Sequence, residues 1–286
     1  MSTSSMTNTV QSWWDRGPLD LDRPLLLIAG PCVLETPEVN LEIASTVQKI
    51  AKELGITFVF KASFDKANRS SLKSDRGPGI QEGLAELARI RNELSVPVLT
   101  DVHEAQQATA CAEVVDILQL PAFLCRQTDL LTACGATGCP VNVKKGQFLA
   151  PGEMKNVFEK LRDSGCSRMM ACERGTFFGY HRLVNDFIGM GDLVELAAEF
   201  GAPFCFDVTH STQLPGGDGT SSGGRPERAS LLARAAVAAG AEAVFIECHP
   251  DPSRARSDAA TVQPLEALPR LLKSLVAIRE AIRNSS

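Results

Sequence analysis

Short apolar runs recur along the chain, separated by longer stretches whose apolar residues fall three and four apart. The runs are Leu25 to Ala29, Phe58 to Ala62, Val96 to Val102, Val115 to Leu120, Val141 to Lys145, Arg168 to Cys172, Pro203 to Val208 and Ala243 to Cys248. Each is near-continuous rather than alternating, as expected of strands covered on both faces of a parallel sheet. Between them, Leu41, Ile43, Ala44, Val47, Ile50, Ala51 and Leu54 mark one helical face. Leu84, Leu87, Ala88 and Leu94 mark a second, and Leu231, Leu232, Ala235, Ala236 and Ala239 a third. Gly55, Gly165, Gly201 and Gly240 each close a helical stretch ahead of a strand, where a left-handed C-cap belongs. Eight strands alternating with helices over about 260 residues predict an α/β chain folded as a (β/α)8 TIM barrel. A doubly wound open sheet is the competitor, and the absence of any linker or second domain favours the barrel. Residues 1–22 precede the pattern as a short N-terminal extension, expected to cap the barrel's bottom. Residues 23–286 are expected to form the single barrel domain.

Composition removes several function classes. With 44% hydrophobic and 22% charged residues, the 286-residue chain has the makings of a core rather than of a disordered polymer. A net charge of -5 gives no global excess of cations to displace phosphate counterions, so no nucleic-acid partner is expected. No apolar run approaches the roughly 20 residues that span a bilayer. The Ser/Thr-rich start, Met1 to Val10, lacks the basic and apolar parts of a signal peptide. A cytoplasmic protein with no membrane partner is the expectation. The nine scattered cysteines contain no CxxC pair and read as mostly reduced, buried thiols. Cys134 with Cys139, and Cys166 with Cys172, are wider apart than paired zinc ligands usually are.

In such barrels the active site lies at the C-terminal ends of the strands, and polar residues collect there. The strands lead into Gly30-Pro31-Cys32, then Lys61 with Lys66, Asn68, Arg69, Ser70 and Ser71, then Asp101-Val102-His103-Glu104. Gln119 to Phe123 with Arg126, Asn142 to Gln147, and Glu173-Arg174-Gly175 follow. Asp207-Val208-Thr209-His210 and Glu247-Cys248-His249-Pro250 complete the set. Lys61, Lys66, Arg69, Arg174 and one of Lys144 and Lys145 would make the mouth cationic in an acidic protein; adjacent strand residues face opposite ways, so only one of the two lysines can point inward. That points to anionic substrates, with more charge than one phosphate needs. Cys32, His210, Glu247 and Asp258 come from neighbouring strands of a closed barrel, and thiol, imidazole and carboxylate together suit Zn, Fe(II) or Mn(II). From spacing alone, packing and structural roles remain open for each. The segment Gly216 to Gly224 has no nucleotide-loop spacing and reads as a linker or as a lid over the mouth.

These motifs together resemble the 3-deoxy-D-manno-octulosonate 8-phosphate synthase family. The resemblance covers about Leu25 to Leu275, through Ala29-Gly30-Pro31-Cys32, Lys61 to Ser71, Thr100 to Glu104, Gln119 to Leu124, Asn142 to Gln147, Glu173-Arg174-Gly175, Phe206 to Ser211 and Glu247 to Pro250. It implies a transferase that condenses phosphoenolpyruvate, D-arabinose 5-phosphate and water for lipopolysaccharide biosynthesis. The related seven-carbon synthase has Lys-Pro-Arg-Thr where this chain reads Lys66-Ala67-Asn68-Arg69-Ser70, which points to the five-carbon sugar.

The resemblance also implies roles. Cys32 marks the metal-dependent class, whose metal-independent relatives have Asn there; His210, Glu247 and Asp258 match the other ligands of one divalent ion. No nucleotide or organic cofactor is implied. Lys61, Lys66, Lys144 and Arg174 would bind phosphoenolpyruvate, and Asn68, Arg69, Ser70 and Ser222 the sugar phosphate. Asp101, Gln119, Phe123 and His210 would complete the substrate site. Arg126 would reach a neighbour's phosphate site in a homo-oligomer, typically a tetramer. Cys32, Lys66, His210 and Asp258 are the catalytic candidates. His181 stands where the family has Asn or Asp. A Schiff-base aldolase with Lys144 or Lys145 as nucleophile, and a non-catalytic phosphosugar-binding barrel, are the alternatives.

Overall fold

The computed structural model of the chain describes residues 10–68, 75–215 and 223–285. The first six barrel strands are β1 (Leu26–Gly30), β2 (Thr57–Lys61), β3 (Val98–Asp101), β4 (Ile117–Leu120), β5 (Val141–Lys144) and β6 (Met169–Glu173). β7 (Phe204–Asp207) and β8 (Ala243–His249) complete them. Every neighbouring pair is parallel, and β1 pairs with β8 from Leu26↔Ala243 to Gly30↔Glu247, which closes the sheet. The predicted (β/α)8 barrel is therefore the observed fold. Helices α1 (Pro37–Glu53), α2 (Ile80–Leu94), α3 (Ala108–Ala112) and α4 (Thr128–Ala136) cover its first half. Helices α5 (Met154–Asp163), α6 (Phe187–Glu199), α7 (Ala229–Ala238) and α8 (Leu268–Arg283) cover the second.

The expected strands are all present, one or two residues shorter at several ends, and Gly55, Gly165, Gly201 and Gly240 all have positive φ at the helix exits. Two layers follow from the strand period of two. Leu27, Ala29, Phe58, Phe60, Val244 and Ile246 face outward into the layer shared with the helices. Leu26, Ile28, Val59, Leu99, Ile117, Met170, Cys172, Cys205, Ala243 and Phe245 fill the barrel interior. Val10, Trp13 and Trp14, in a helical turn over residues 10–14, join that inner cluster and close its lower end. Trp13 is held there by a 2.9 Å bond from its indole Nε1 to the Pro24 carbonyl, with the Arg23 guanidinium 4.3 Å over its ring.

Further along the same inward-facing positions the side chains turn polar: Lys61, Asp101, Gln119, Asn142, Lys144, Asp207 and Glu247 are all buried. The inside of the barrel is thus apolar below and ionic above. The nine cysteines are free thiols, all buried except the partly buried Cys139. None of Cys134, Cys139, Cys166 and Cys172 joins a metal-type cluster among the described residues.

Candidate active site at the barrel mouth

Closure brings the strand ends together at the mouth, where their buried side chains join in hydrogen-bonded chains. Asn142 donates to Gln119 Oε1 at 2.9 Å, and Gln119 donates to Asp101 Oδ1 at 2.5 Å. Ser63 donates to the other Asp101 oxygen. Lys61 donates to Glu247 Oε1 and to the Cys32 carbonyl, both at 2.8 Å, and lies 4.0 Å from Asp101. On the opposite side Lys144 donates to Asp207 Oδ2 at 2.6 Å and stacks 3.6 Å over the Phe245 ring. A Cβ at Gly30 would stand 2.0 Å from the Lys61 carbonyl oxygen, so only glycine lets the chain enter the site here and present Cys32.

Charge balance sets the protonation states. Burial alone would neutralise Asp101, but Lys61, Lys66 and Lys144 hold its carboxyl far below the carboxylate range. Asp207 is likewise held ionised against burial, by His210, Lys144 and Arg174. Burial works against the Lys144 ammonium too, yet Asp207 and its neighbours raise it above its ordinary value. Lys66, half-buried, is raised against burial by Cys32, Glu247, Asp101 and Asp258. Arg174 is lowered by burial, although Asp207 and Glu173 oppose the shift. Its Nη2 donates to Gln213 Oε1, and its buried Nη1 has no hydrogen-bond partner among the described residues. An unpartnered guanidinium nitrogen in a closed mouth is a donor prepared for an anion.

Beside this cationic side lies an acidic one. Cys32 Sγ and carboxylate oxygens of Glu247 and Asp258 lie within 4.8 Å of one another. The Cys32 thiol donates to Asp258 Oδ2 at 2.8 Å. Its pKa is pushed far up by burial and by the charges of Asp258 and Glu247, so without a counter-cation it is a protonated thiol. Glu247 Oε2 is buried and has no hydrogen-bond partner among the described residues. His210 stands at the edge of this triad: its Nε2 is 3.7 Å from Glu247 Oε2 and its Nδ1 is 2.8 Å from Asp207 Oδ2. With Nδ1 turned to Asp207 and Nε2 turned to the cluster, the ring has the arrangement typical of a metal-ligating histidine and its carboxylate support. The donor set fits a divalent cation: soft sulfur, imidazole, two carboxylates and one orphaned oxygen. Asp258 adopts φ of 52°, a left-handed conformation that a short Asp side chain tolerates, and its backbone oxygen accepts from Thr261 and Val262 at 2.8 and 3.1 Å.

The DAHP synthetase I family matches residues 20–284. The chain belongs to that family. Its curated relatives include proteins named 2-dehydro-3-deoxyphosphooctonate aldolase from Albidiferax ferrireducens and Paracidovorax citrulli. They are 53% and 54% identical over 264 residues, each alignment covering 90% of this chain and 91% of the relative. A third, of the same name from Desulfotalea psychrophila, is 52% identical over 260 residues, with 91% coverage on both sides.

Other expected site residues are more dispersed. Asn68 is exposed in the loop after β2. Arg69, Ser70 and Ser222 lie outside the described residues. Phe123 and Arg126 are exposed beyond β4. Of the two adjacent lysines, Lys144 faces inward, and Lys145 is tied to the Gly146 and Leu149 carbonyls at 3.3 and 3.0 Å. Ser63, Asn142, Glu173, Asp207 and Gln213 escaped the sequence reading as site residues. Asp207 and Glu173 were visible only as strand ends, and Gln213, one turn past His210, carried no signal at all.

Proposed function

We propose that this protein condenses phosphoenolpyruvate with D-arabinose 5-phosphate and water, giving 3-deoxy-D-manno-octulosonate 8-phosphate and phosphate, the 3-deoxy-8-phosphooctulonate synthase reaction of lipopolysaccharide biosynthesis. The observation that carries the reading is the pairing, in one barrel mouth, of a buried cationic pocket ending in the unpartnered Arg174 Nη1 with a thiol–carboxylate cluster. The chain that holds both is more than half identical to several aldolases of that name.

In the reaction, C3 of phosphoenolpyruvate bonds to the sugar aldehyde carbon, whose oxygen takes a proton. Water oxygen bonds to C2, and the C–O bond to phosphate breaks. Arg174, Lys144, Lys61 and Lys66 are assigned to the phosphate and carboxylate of phosphoenolpyruvate, fixing the two reactants in one geometry. Asn68, Arg69, Ser70 and Ser222 are assigned to the sugar phosphate. Asp101, Gln119 and Phe123 are assigned to the remainder of the substrate site. Glu247, whose Oε2 has no hydrogen-bond partner among the described residues, and Asp258 are assigned as the candidate bases for water. Cys32, His210, Glu247 and Asp258 would hold one divalent ion, Zn, Fe(II), Mn(II) or similar, which when bound supplies Lewis acidity next to the reacting groups. Arg126, exposed, is assigned to a neighbouring subunit's sugar phosphate in a homo-oligomer, a tetramer by family habit. A cytoplasmic setting is part of the same proposal; no described helix is long and apolar enough to cross a membrane.

A Schiff-base route is disfavoured by the ion pair that keeps Lys144 protonated and therefore non-nucleophilic. Lys145 is saturated by carbonyls and by Glu173 at 3.4 Å. Borohydride in the presence of substrate should leave no covalent adduct on either lysine. Phosphate release from phosphoenolpyruvate should require arabinose 5-phosphate and be much slower with erythrose 4-phosphate. Equal or faster turnover of the four-carbon sugar would overturn the assignment.

A further inference from the structure

Besides the Lys61–Glu247 ion pair, one uncharged side chain links the cationic pocket to the thiol–carboxylate cluster. Gln213 follows the 3-10 turn His210–Thr212 and begins a two-residue strand paired with Gly223–Gly224. Its Oε1 accepts from Arg174 Nη2, and its Nε2 donates to Asp258 Oδ1 at 3.2 Å. Among side chains, a primary amide suits this position because it offers an acceptor to the cation and a donor to the anion at once. A carboxylate would repel Asp258, and an alkyl chain would leave both charged groups without this bond. Asp258 Oδ2 is already engaged by Cys32 and by Ser257 at 2.9 Å. Any shift of Asp258 toward a cation therefore changes its remaining bond to Gln213. Arg174 has one nitrogen fixed by Gln213 and one free, so the amide also sets where the free nitrogen points.

We propose that Gln213 is a positioning residue that couples occupancy of the metal cluster to binding of phosphoenolpyruvate, while touching neither ligand. This rests on the substrate and metal reading above. Coupling of this kind is reciprocal and is measured as the ratio of affinities for one ligand with and without the other. Direct attraction between a bound cation and an anionic substrate contributes to that ratio whatever occupies position 213. The part carried by Gln213 is the change in the ratio when the bridge is removed.

The experiment is calorimetric titration of phosphoenolpyruvate, without sugar and so without turnover, into metal-stripped and Mn(II)-loaded protein. It compares wild type with Gln213→Met, which keeps the length and loses both bonds. The ratio of dissociation constants should change at least about fivefold, the lower end of usual site-to-site coupling. Gln213→Asn, an amide too short to reach both partners, should behave the same way and serves if the methionine variant does not fold. A merely structural role would scale both affinities together and leave the ratio unchanged, and that result overturns the bridge. Failure of wild type to bind phosphoenolpyruvate in either state would instead overturn the underlying reading of the site, and the bridge with it.

Discussion

Cys32 is held as a neutral thiol by burial and by two neighbouring carboxylates, yet a thiol binds a metal as thiolate. Metal binding at this cluster must therefore release a proton, and affinity should rise with pH. Isothermal titration of Mn(II) or Zn(II) in buffers of different ionisation enthalpy reports both. Cys32→Ala should lose the ion by elemental analysis and most activity. Cys32→Asn is the sharper variant, because an amide can hydrogen-bond to Asp258 where the thiol does now. It should keep measurable phosphate release in the presence of a chelator, since Arg174, Lys144 and Lys61 are positioned by protein groups. Wild-type activity undiminished by exhaustive chelation, with no metal detected, would show that Cys32 is only a packed thiol.

The segment leading into β1 is tied down by a buried acid at the start of β8. Glu242 accepts from the Leu19 and Phe204 amides at 2.8 and 3.0 Å and lies 3.5 Å from Arg23. Arg279 of α8 secures the same stretch through the Arg23 and Asp20 carbonyls at 3.1 and 3.0 Å. Burial outweighs the pull of Arg23 and raises the Glu242 pKa above its ordinary 4.5. An acid raised by folding stabilises the native state below its unfolded pKa, and that contribution is lost as pH climbs through the folded value. Unfolding free energies of wild type and Glu242→Gln, from urea titrations, should thus diverge in the variant's favour as pH is raised from about 4.5. The divergence should approach roughly 1.4 kcal/mol for each pH unit over which the acid is protonated when folded and ionised when unfolded. A difference that stays flat from about pH 4 to 8 would show that the acid is not perturbed. In the hairpin after β6 (Thr176–Gly179 with Arg182–Val184), His181 has φ of 52°. That left-handed position is one that Asn, Asp and His tolerate better than most residues.

Assembly is where the surface beyond β4 matters. Arg126 and Phe123 are exposed near the mouth of their own barrel, and Arg126 has no ion pair among the described residues. If Arg126 completes a neighbour's sugar-phosphate site, Arg126→Ala should raise the KM for arabinose 5-phosphate at least tenfold. The KM for phosphoenolpyruvate should hardly move, because its cations belong to one barrel. Sedimentation during turnover supplies the second check: a fully active monomer would contradict a shared site.

Barrel architecture was legible from the chain because its signals are local. Near-continuous apolar runs, a helical period between them and glycines at helix exits each depend only on neighbours in sequence. Strand-end chemistry was legible for the same reason: once a strand is located, its last inward residue must face the mouth. What lay beyond local pattern was partnership. Lys61 takes Glu247 across 186 positions, Gln213 spans Arg174 and Asp258, and Trp13 and Trp14 seal the lower end. Residue spacing could place His210 with the cluster, but only the folded chain set it at the rim, leaning on Asp207. The Lys61–Glu247 pair exists because the eighth strand closes on the first, bringing together side chains whose separation along the sequence carries no trace of their distance in space.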